Sequence, residues 1–278
     1  MSQGFPRIRL LCIAAGLFVC AAVSAQTSAL SPEPKPRVIE DRLRVEVTLL
    51  GAGIDTRMRI DESPTLPGTE VDAEDDFGLD DSALMPQVEI TLLPGKHNLL
   101  RLSGFSSRRS ASKIIDKEIA FDDEVFEPGE RVDSKLDLTL FGLTYGYRIL
   151  VRDRGELTAT LGIQVAHVEA NALVRSRMVR EPETGVAPLP MIGIEGRYDF
   201  TDHWSAEGRL QYLGANVDDV DGSIIDARLA VTWRMNPYLV FGLGYRSFSV
   251  DIDSKAEDNP GLVNLKLAGP LLFARASL

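Results

Sequence analysis

Ten stretches in which apolar and polar residues alternate run from residue 43 to residue 278, joined by connections that are by turns long and short. A period of two marks strands that present one face to an apolar medium and the other to a polar one. With this rhythm of connections, the pattern has the layout of a transmembrane antiparallel up-and-down β-barrel, an all-β fold. Membrane strands need only about 9 to 11 residues, face lipid with every second side chain, and close on themselves so that no backbone group stays unpaired in hydrocarbon.

The stretches are residues 43–57, 84–93, 97–108, 134–150, 156–169, 187–200, 204–214, 223–235, 238–250 and 262–278. Ten is an even number, as closure asks; eight strands with one hairpin wholly outside the membrane is the architectural alternative. The first stretch sets Leu43, Val45, Val47 and Leu49 against Arg44, Glu46 and Thr48, and the fifth sets Leu157, Ala159, Leu161, Ile163 and Val165 against Glu156, Thr158, Thr160 and Gln164. Tight turns fall at Pro94-Gly95-Lys96, Arg152-Asp153-Arg154-Gly155, Thr201-Asp202-His203 and Asn236-Pro237, with longer connections between them. Outer-membrane barrels keep short turns on the periplasmic side, which puts both termini there and the long loops outside.

The chain opens with a secretory address. Arg7 and Arg9 precede an apolar run over residues 10–23, and Val23-Ser24-Ala25 supplies small residues before a cut ahead of Gln26. Residues 1–25 are expected as a signal peptide, residues 26–41 with Pro32, Pro34 and Pro36 as a periplasmic leader, and residues 42–278 as the barrel. Cys12 and Cys20 both lie in the removed segment, so the mature chain has no thiol chemistry and no disulfide. After residue 25 there is no run of 18 apolar residues that could make a membrane helix.

A soluble lipocalin-like barrel also alternates along its strands. Two features favour the Gram-negative outer membrane. Ionisable residues of both signs fall at many levels of the polar face, namely Arg44, Glu46, Glu89, Arg101, Asp137, Glu195, Arg197, Glu207, Arg209, Asp226, Arg228, Arg246 and Lys266, as suits a lumen of paired ions. Tyr198, Phe200 and Trp204 gather at one tight turn, with Trp233 and Tyr238 at another, as an interfacial girdle does. Phe141, Tyr145 and Tyr147 are expected to join Arg197, Arg209 and Arg246 in narrowing that lumen, which argues against a diffusion porin and leaves a narrow ion or small-solute channel as a porin-like alternative.

Charge is concentrated in the long connections. Residues 61–83 carry nine carboxylates and no Lys or Arg, in a chain whose net charge is −11. An acidic exterior excludes nucleic acid as a partner and points to outer-membrane lipid and lipopolysaccharide, with the barrel-assembly machinery engaged during insertion and a monomer as the product. Asp72, Glu74, Asp75 and Asp76 are candidates for loose divalent-ion contact. Read as an EF-hand from Asp72, however, the glycine comes one position late at Gly78 and the twelfth residue is Ala83, so the expectation is a solvated acidic rim with neither a defined metal site nor a cofactor.

The run Leu66-Pro67-Gly68-Thr69, Val71-Asp72 and Glu74-Asp75-Asp76-Phe77-Gly78-Leu79-Asp80-Asp81 resembles the first-loop signature of a family of uncharacterised proteobacterial outer-membrane β-barrel proteins. Echoes recur at Pro188-Leu189-Pro190, Asp219-Val220-Asp221-Gly222-Ser223, Gly242-Leu243-Gly244-Tyr245 and Gly269-Pro270. The resemblance implies fold and compartment, and no catalytic residue comes with it. Such proteins usually end on an aromatic residue, whereas this chain ends Phe273-Ala274-Arg275-Ala276-Ser277-Leu278. Leu272, Ala274, Ala276 and Leu278 alternate out of phase with Leu265 and Leu267, so a face-switching bulge is expected at Gly269-Pro270.

A rim-located hydrolase is the enzymatic alternative. His97 and His203 sit at tight turns, the wrong end for it, which leaves His167 beside Glu169 on the outward face with no recognisable Ser or Asp motif. The reading is a structural or surface-interaction barrel without catalytic activity, and no catalytic residue is assigned.

Overall fold

A computed structural model describes residues 42–61, 69–116, 118–121, 124–174, 179–217, 220–254 and 261–278. Residues 1–41, where a signal peptide and a leader are expected, lie outside the described residues. Alternation becomes extended chain throughout: β1 (Leu43–Ile60), β2 (Val71–Asp72), β3 (Ser82–Leu92), β4 (Asn98–Ile114), β5 (Ile119–Phe121), β6 (Glu124–Phe126), β7 (Arg131–Arg152), β8 (Gly155–Val174), β9 (Val179–Asp199), β10 (Trp204–Val217), β11 (Val220–Asn236), β12 (Leu239–Ser254) and β13 (Gly261–Ser277). The ten long strands pair in the order β1, β3, β4, β7, β8, β9, β10, β11, β12, β13, and β13 pairs back on β1 from Arg44↔Ser277 to Ile60↔Gly261. The sheet therefore closes as a ten-stranded antiparallel barrel, and the eight-strand alternative falls. β2 adds to the end of β1, while β5 and β6 form a separate hairpin.

Each expected stretch is a strand, but the long-loop ends run further than periodicity suggested. β8 and β9 stay paired to Val174↔Val179, through a segment expected as loop over residues 170–186. The residues there lack a clean period-two alternation, so the sequence does not mark a strand, and pairing continues the hairpin. β9 in turn meets β10 only over Ile192–Asp199. Pro188 and Pro190, which have no N–H to donate, lie in the part of β9 that has no β10 partner.

Outward positions form an apolar belt, and inward positions divide into two layers. Nearest the short turns, the lumen holds Glu46, Glu89, Arg101, Glu195, Arg197, Glu207, Arg209, Asp226, Arg228 and Arg246, as expected, together with Arg275. Towards the long loops it becomes a hydrocarbon core in which Leu50, Ile54, Met85, Leu140, Met191, Ile224, Phe248, Leu267 and Leu271 pack. β1 shows the change within one strand, since its inward side chains run Glu46, Thr48, then Leu50, Ala52, Ile54, then Thr56.

This apolar interior layer explains three corrections. Phe141, Tyr145 and Tyr147 face outward, at 64%, 47% and 50% exposed, because Leu140, Gly142, Thr144 and Gly146 take the inward positions of β7. Asp137 and Lys266 also face outward, at the long-loop edge of the belt where outward positions turn polar. No bulge interrupts β13: its pairing with β12 runs through Gly269-Pro270, and its register with β1 is the same on both sides of those two residues, where the β1 pairing itself lapses. Leu265 and Leu267 are apolar yet inward because the lumen is apolar at their level, so the phase change that suggested a bulge is a change of layer.

Candidate functional site

Four arginine–carboxylate pairs are joined by paired hydrogen bonds inside the lumen, three of them between strands that are not neighbours: Arg209 with Glu89 at 2.7 and 2.9 Å, Arg275 with Glu207 at 2.7 and 2.6 Å, and Arg101 with Glu195 at 2.5 and 2.7 Å, while Arg246 and Asp226, on the adjacent strands β12 and β11, bond at 2.8 Å twice. The planar guanidinium fork matches a carboxylate at two points, which fixes geometry as well as charge. Glu46 ties two arginines together, taking a bond from Arg228 at 2.6 Å and from Arg275 at 2.9 Å, and Thr48 donates to it at 3.0 Å. Phe273 stacks between those cations, 4.5 Å from the Arg228 guanidinium and 5.2 Å from that of Arg275, and forms the boundary with the apolar layer. The space left inside the ion layer is about 70 Å³, with a further pocket of about 30 Å³ beside Gln87 and Arg246.

The first acidic loop is a folded cap over the long-loop end, which corrects the expectation of a solvated rim. β3 ends at Ser82, so β1 and β4 rise past it, and the loop occupies the notch between them. Val71 pairs with Met58 and packs with Phe77, Ile115 and Val132 on the inward side of the wall. Asp72 Oδ1 accepts the amides of Glu74 at 3.1 Å and Asp75 at 2.9 Å, and Asp76 Oδ2 accepts the amide of Asp72 at 3.0 Å. Gly78 then reverses the chain at φ 71°, in the left-handed region that favours glycine.

Glu74 reaches inward, accepting the Thr56 amide at 2.8 Å and pairing with the buried Arg109 guanidinium, which also donates to Thr56 Oγ1 at 2.9 Å. Lys113 donates to the Asp75 carbonyl. Of the four candidate ion-binding residues, Asp72, Glu74 and Asp76 thus serve the loop's own amides and Arg109, while Asp75 contributes its backbone. Among the described residues no three His, Cys, Asp or Glu side chains converge as a metal cage. Arg109 and Arg275 were not singled out from sequence, although each falls on the inward parity of its strand.

Replacing Arg109 with alanine should free this cap. A buried carboxylate that loses its cation costs about 3–5 kcal/mol, and because the cap is a local unit this corresponds to an increase of roughly a hundredfold to several thousandfold in its open population. Limited proteolysis should then cut within residues 69–81 while the barrel still shifts on an unboiled gel, and unchanged cleavage would mean that the ion pair does not hold the loop.

The histidines lie apart. His97 Nδ1 is 3.2 Å from the Arg148 carbonyl and His203 Nδ1 is 3.0 Å from the Arg234 carbonyl, so both tie neighbouring strands at the short-turn end. His167 faces outward with Nε2 3.1 Å from Glu169. Thr139, its cross-strand neighbour, donates instead to Ser106 at 3.3 Å, so among the described residues no hydroxyl is hydrogen-bonded to His167 as a nucleophile would be.

Residues 151–263, from the end of β7 into β13, match the family described as outer membrane protein beta-barrel domain. Among solved structures, the outer membrane protease OmpT from Escherichia coli is similar at 11% identity, over 87% of this chain and 98% of that one, with a TM-score of 0.57. The toluene transporter TodX of Pseudomonas putida is 7% identical over 88% and 92% of the two chains with a TM-score of 0.37, and the attachment invasion locus protein Ail of Yersinia pestis is 11% identical over 83% and 99% with a TM-score of 0.32. The likeness to the protease is one of fold. No curated protein matches the sequence.

Proposed function

We infer that this outer-membrane β-barrel protein is a monomer of structural or surface-interaction type, sealed through its lumen, without chemistry of its own, and with its long loops outside the cell. The filled lumen carries this reading: an ion-paired layer, a hydrocarbon layer and a folded cap succeed one another along the barrel. Spaces of about 70 and 30 Å³ suit bound waters and are too small for a nutrient solute, which weighs against the channel alternative. Against a rim hydrolase weigh the outward, half-exposed position of His167 and its lack of a hydroxyl partner among the described residues. Lipopolysaccharide and the assembly machinery are the partners this reading implies.

Sidedness is tested with single cysteines in the otherwise cysteine-free mature chain. A cysteine at Asp75 should react with a membrane-impermeant maleimide on intact cells, and one at Asp202 only after the envelope is permeabilised. Labelling at Asp202 first would invert the topology. Lipid or peptide hydrolysis by the refolded protein that disappears in His167→Ala would replace the non-catalytic reading with the hydrolase.

A further inference from the structure

Strand register places a compact polar patch on the outward face, at the long-loop edge of the apolar belt. Between the outward row Leu239–Ala276–Val45 near the short turns and the outward row Ser249–Lys266–Asp55 lie ten residues of each strand. At about 3.3 Å per residue and a tilt of roughly 40°, that spans roughly 25 Å, the height of a membrane barrel's apolar band. On its own strand Lys266 therefore lies where hydrocarbon gives way to headgroups.

Three outward rows stack from that level towards the loops. The lowest runs Tyr212, Ile225, Ser249, Lys266, Asp55 across β10, β11, β12, β13 and β1. Above it run Gly214, Ser223, Asp251, Asn264, Arg57, and above those Asp221, Asp253, Leu262, Arg59. An open groove of about 570 Å³ lies over these rows, with Tyr212 at one end, Gly214 and Ser223 in its floor, and Asp251, Asp253 and Asn264 along it. Asn264 is oriented by a hydrogen bond to Asp251.

The cationic end adjoins the groove. Lys266 is exposed and forms no ion pair among the described residues, although Asp55 stands opposite it in register. Arg57, half-exposed, lies 3.4 Å from Asp55 and 3.8 Å from Asp72 and makes no hydrogen bond to either, whereas Arg59 is engaged by Asp61.

We propose that this patch binds the phosphorylated sugar headgroup of a lipopolysaccharide in the surrounding outer leaflet. Carboxylates and an amide accept and donate hydrogen bonds in the way pairs of sugar hydroxyls require, and the Tyr212 ring offers an apolar face with a polar edge. Lys266 and Arg57 suit a phosphate, which the carboxylate side of the groove would repel, so the ligand has one orientation. The carboxylates alone would mark only a solvated edge. The groove, its aromatic wall and the available ammonium beside it distinguish it. The proposal rests on the long loops facing outward, which the cysteine labelling tests separately; it does not depend on whether the lumen conducts.

The test titrates the refolded mature barrel in detergent micelles with rough lipopolysaccharide, phosphatidylglycerol and free core oligosaccharide, read by native mass spectrometry. Rough lipopolysaccharide should bind about tenfold more tightly than phosphatidylglycerol, and Lys266→Glu and Tyr212→Ala should each remove most of that preference while the folded gel band is retained. Arg108→Ala, which removes an exposed cation on β4, three strands from β13 around the wall, should leave binding unchanged. Equal losses in all three variants would reduce the effect to general charge attraction and overturn the site. Equal binding of free core oligosaccharide would overturn the lipid as its source, and no preference in the wild type would overturn the proposal outright.

Discussion

Replacing Gly269 with valine should abolish the folded, faster-migrating band on an unboiled gel, because the barrel cannot close around a side chain at that point. Gly269 lies in β13 at the seam with β1, where a Cβ would overlap the Gly51 carbonyl oxygen and sit 2.8 Å from the carbonyl carbon and 3.1 Å from the Ala52 Cα. Those are backbone atoms of a paired strand, so no rotamer change relieves the clash. An open seam would leave two edges of unpaired backbone groups in hydrocarbon, each costing several kcal/mol. Gly53→Ala is the control: it lies at the same seam, but its Cβ would meet only the Ala268 carbonyl oxygen at 3.6 Å, ordinary contact, and it should fold. A folded Gly269→Val barrel would show that β1 and β13 leave room for a side chain at the seam.

Glu46→Ala should lower unfolding stability by about 3–5 kcal/mol, the usual cost of removing one member of a buried ion pair. Glu46 is the only carboxylate among the described residues that pairs with Arg228, itself buried, so its loss leaves a guanidinium in a layer with little water. Changing both partners, Glu46→Leu with Arg228→Leu, should recover much of that loss, since an apolar pair of similar volume needs no counter-ion. Urea titrations of the refolded proteins in lipid vesicles would measure both. A single-variant loss below about 1 kcal/mol would mean that water screens the layer, as it does surface pairs, and that the lumen is wet.

Period-two alternation was enough to place all ten strands, because lipid forces every outward position of a membrane strand to be apolar over the thickness of the bilayer. The same rule misled wherever the interior was apolar as well. Leu265 and Leu267 were set against the lipid-facing parity of Leu272 and Ala274, and a bulge was inferred to reconcile them; in fact both sets follow one unbroken register, facing different apolar media. Alternation alone puts Phe141, Tyr145 and Tyr147 on the lumen side, whereas the glycines between them mark the inward side of β7.

The ion layer was legible residue by residue but not pair by pair. Arg209 and Glu89 are 120 residues apart and Glu46 and Arg275 are 229 apart, and only closure of the sheet brings the first pair together across the lumen and the second side by side at the β1–β13 seam. In the first loop, composition showed nine carboxylates and suggested a solvated rim. Four buried apolar residues interleaved with them, Val71, Ala73, Phe77 and Leu79, were the available signal that the loop folds inward, and Arg109, the cation that secures it, lay in a segment assigned to the next loop.

Whether the lumen is a packed core or a conduit is decided most directly by electrical recording from the refolded mature protein in planar bilayers. The layered interior predicts a baseline with no stable openings at 1 M salt and across both signs of applied voltage, in preparations whose gel shift shows a folded barrel. Steady openings of nanosiemens size from the wild-type chain would contradict it.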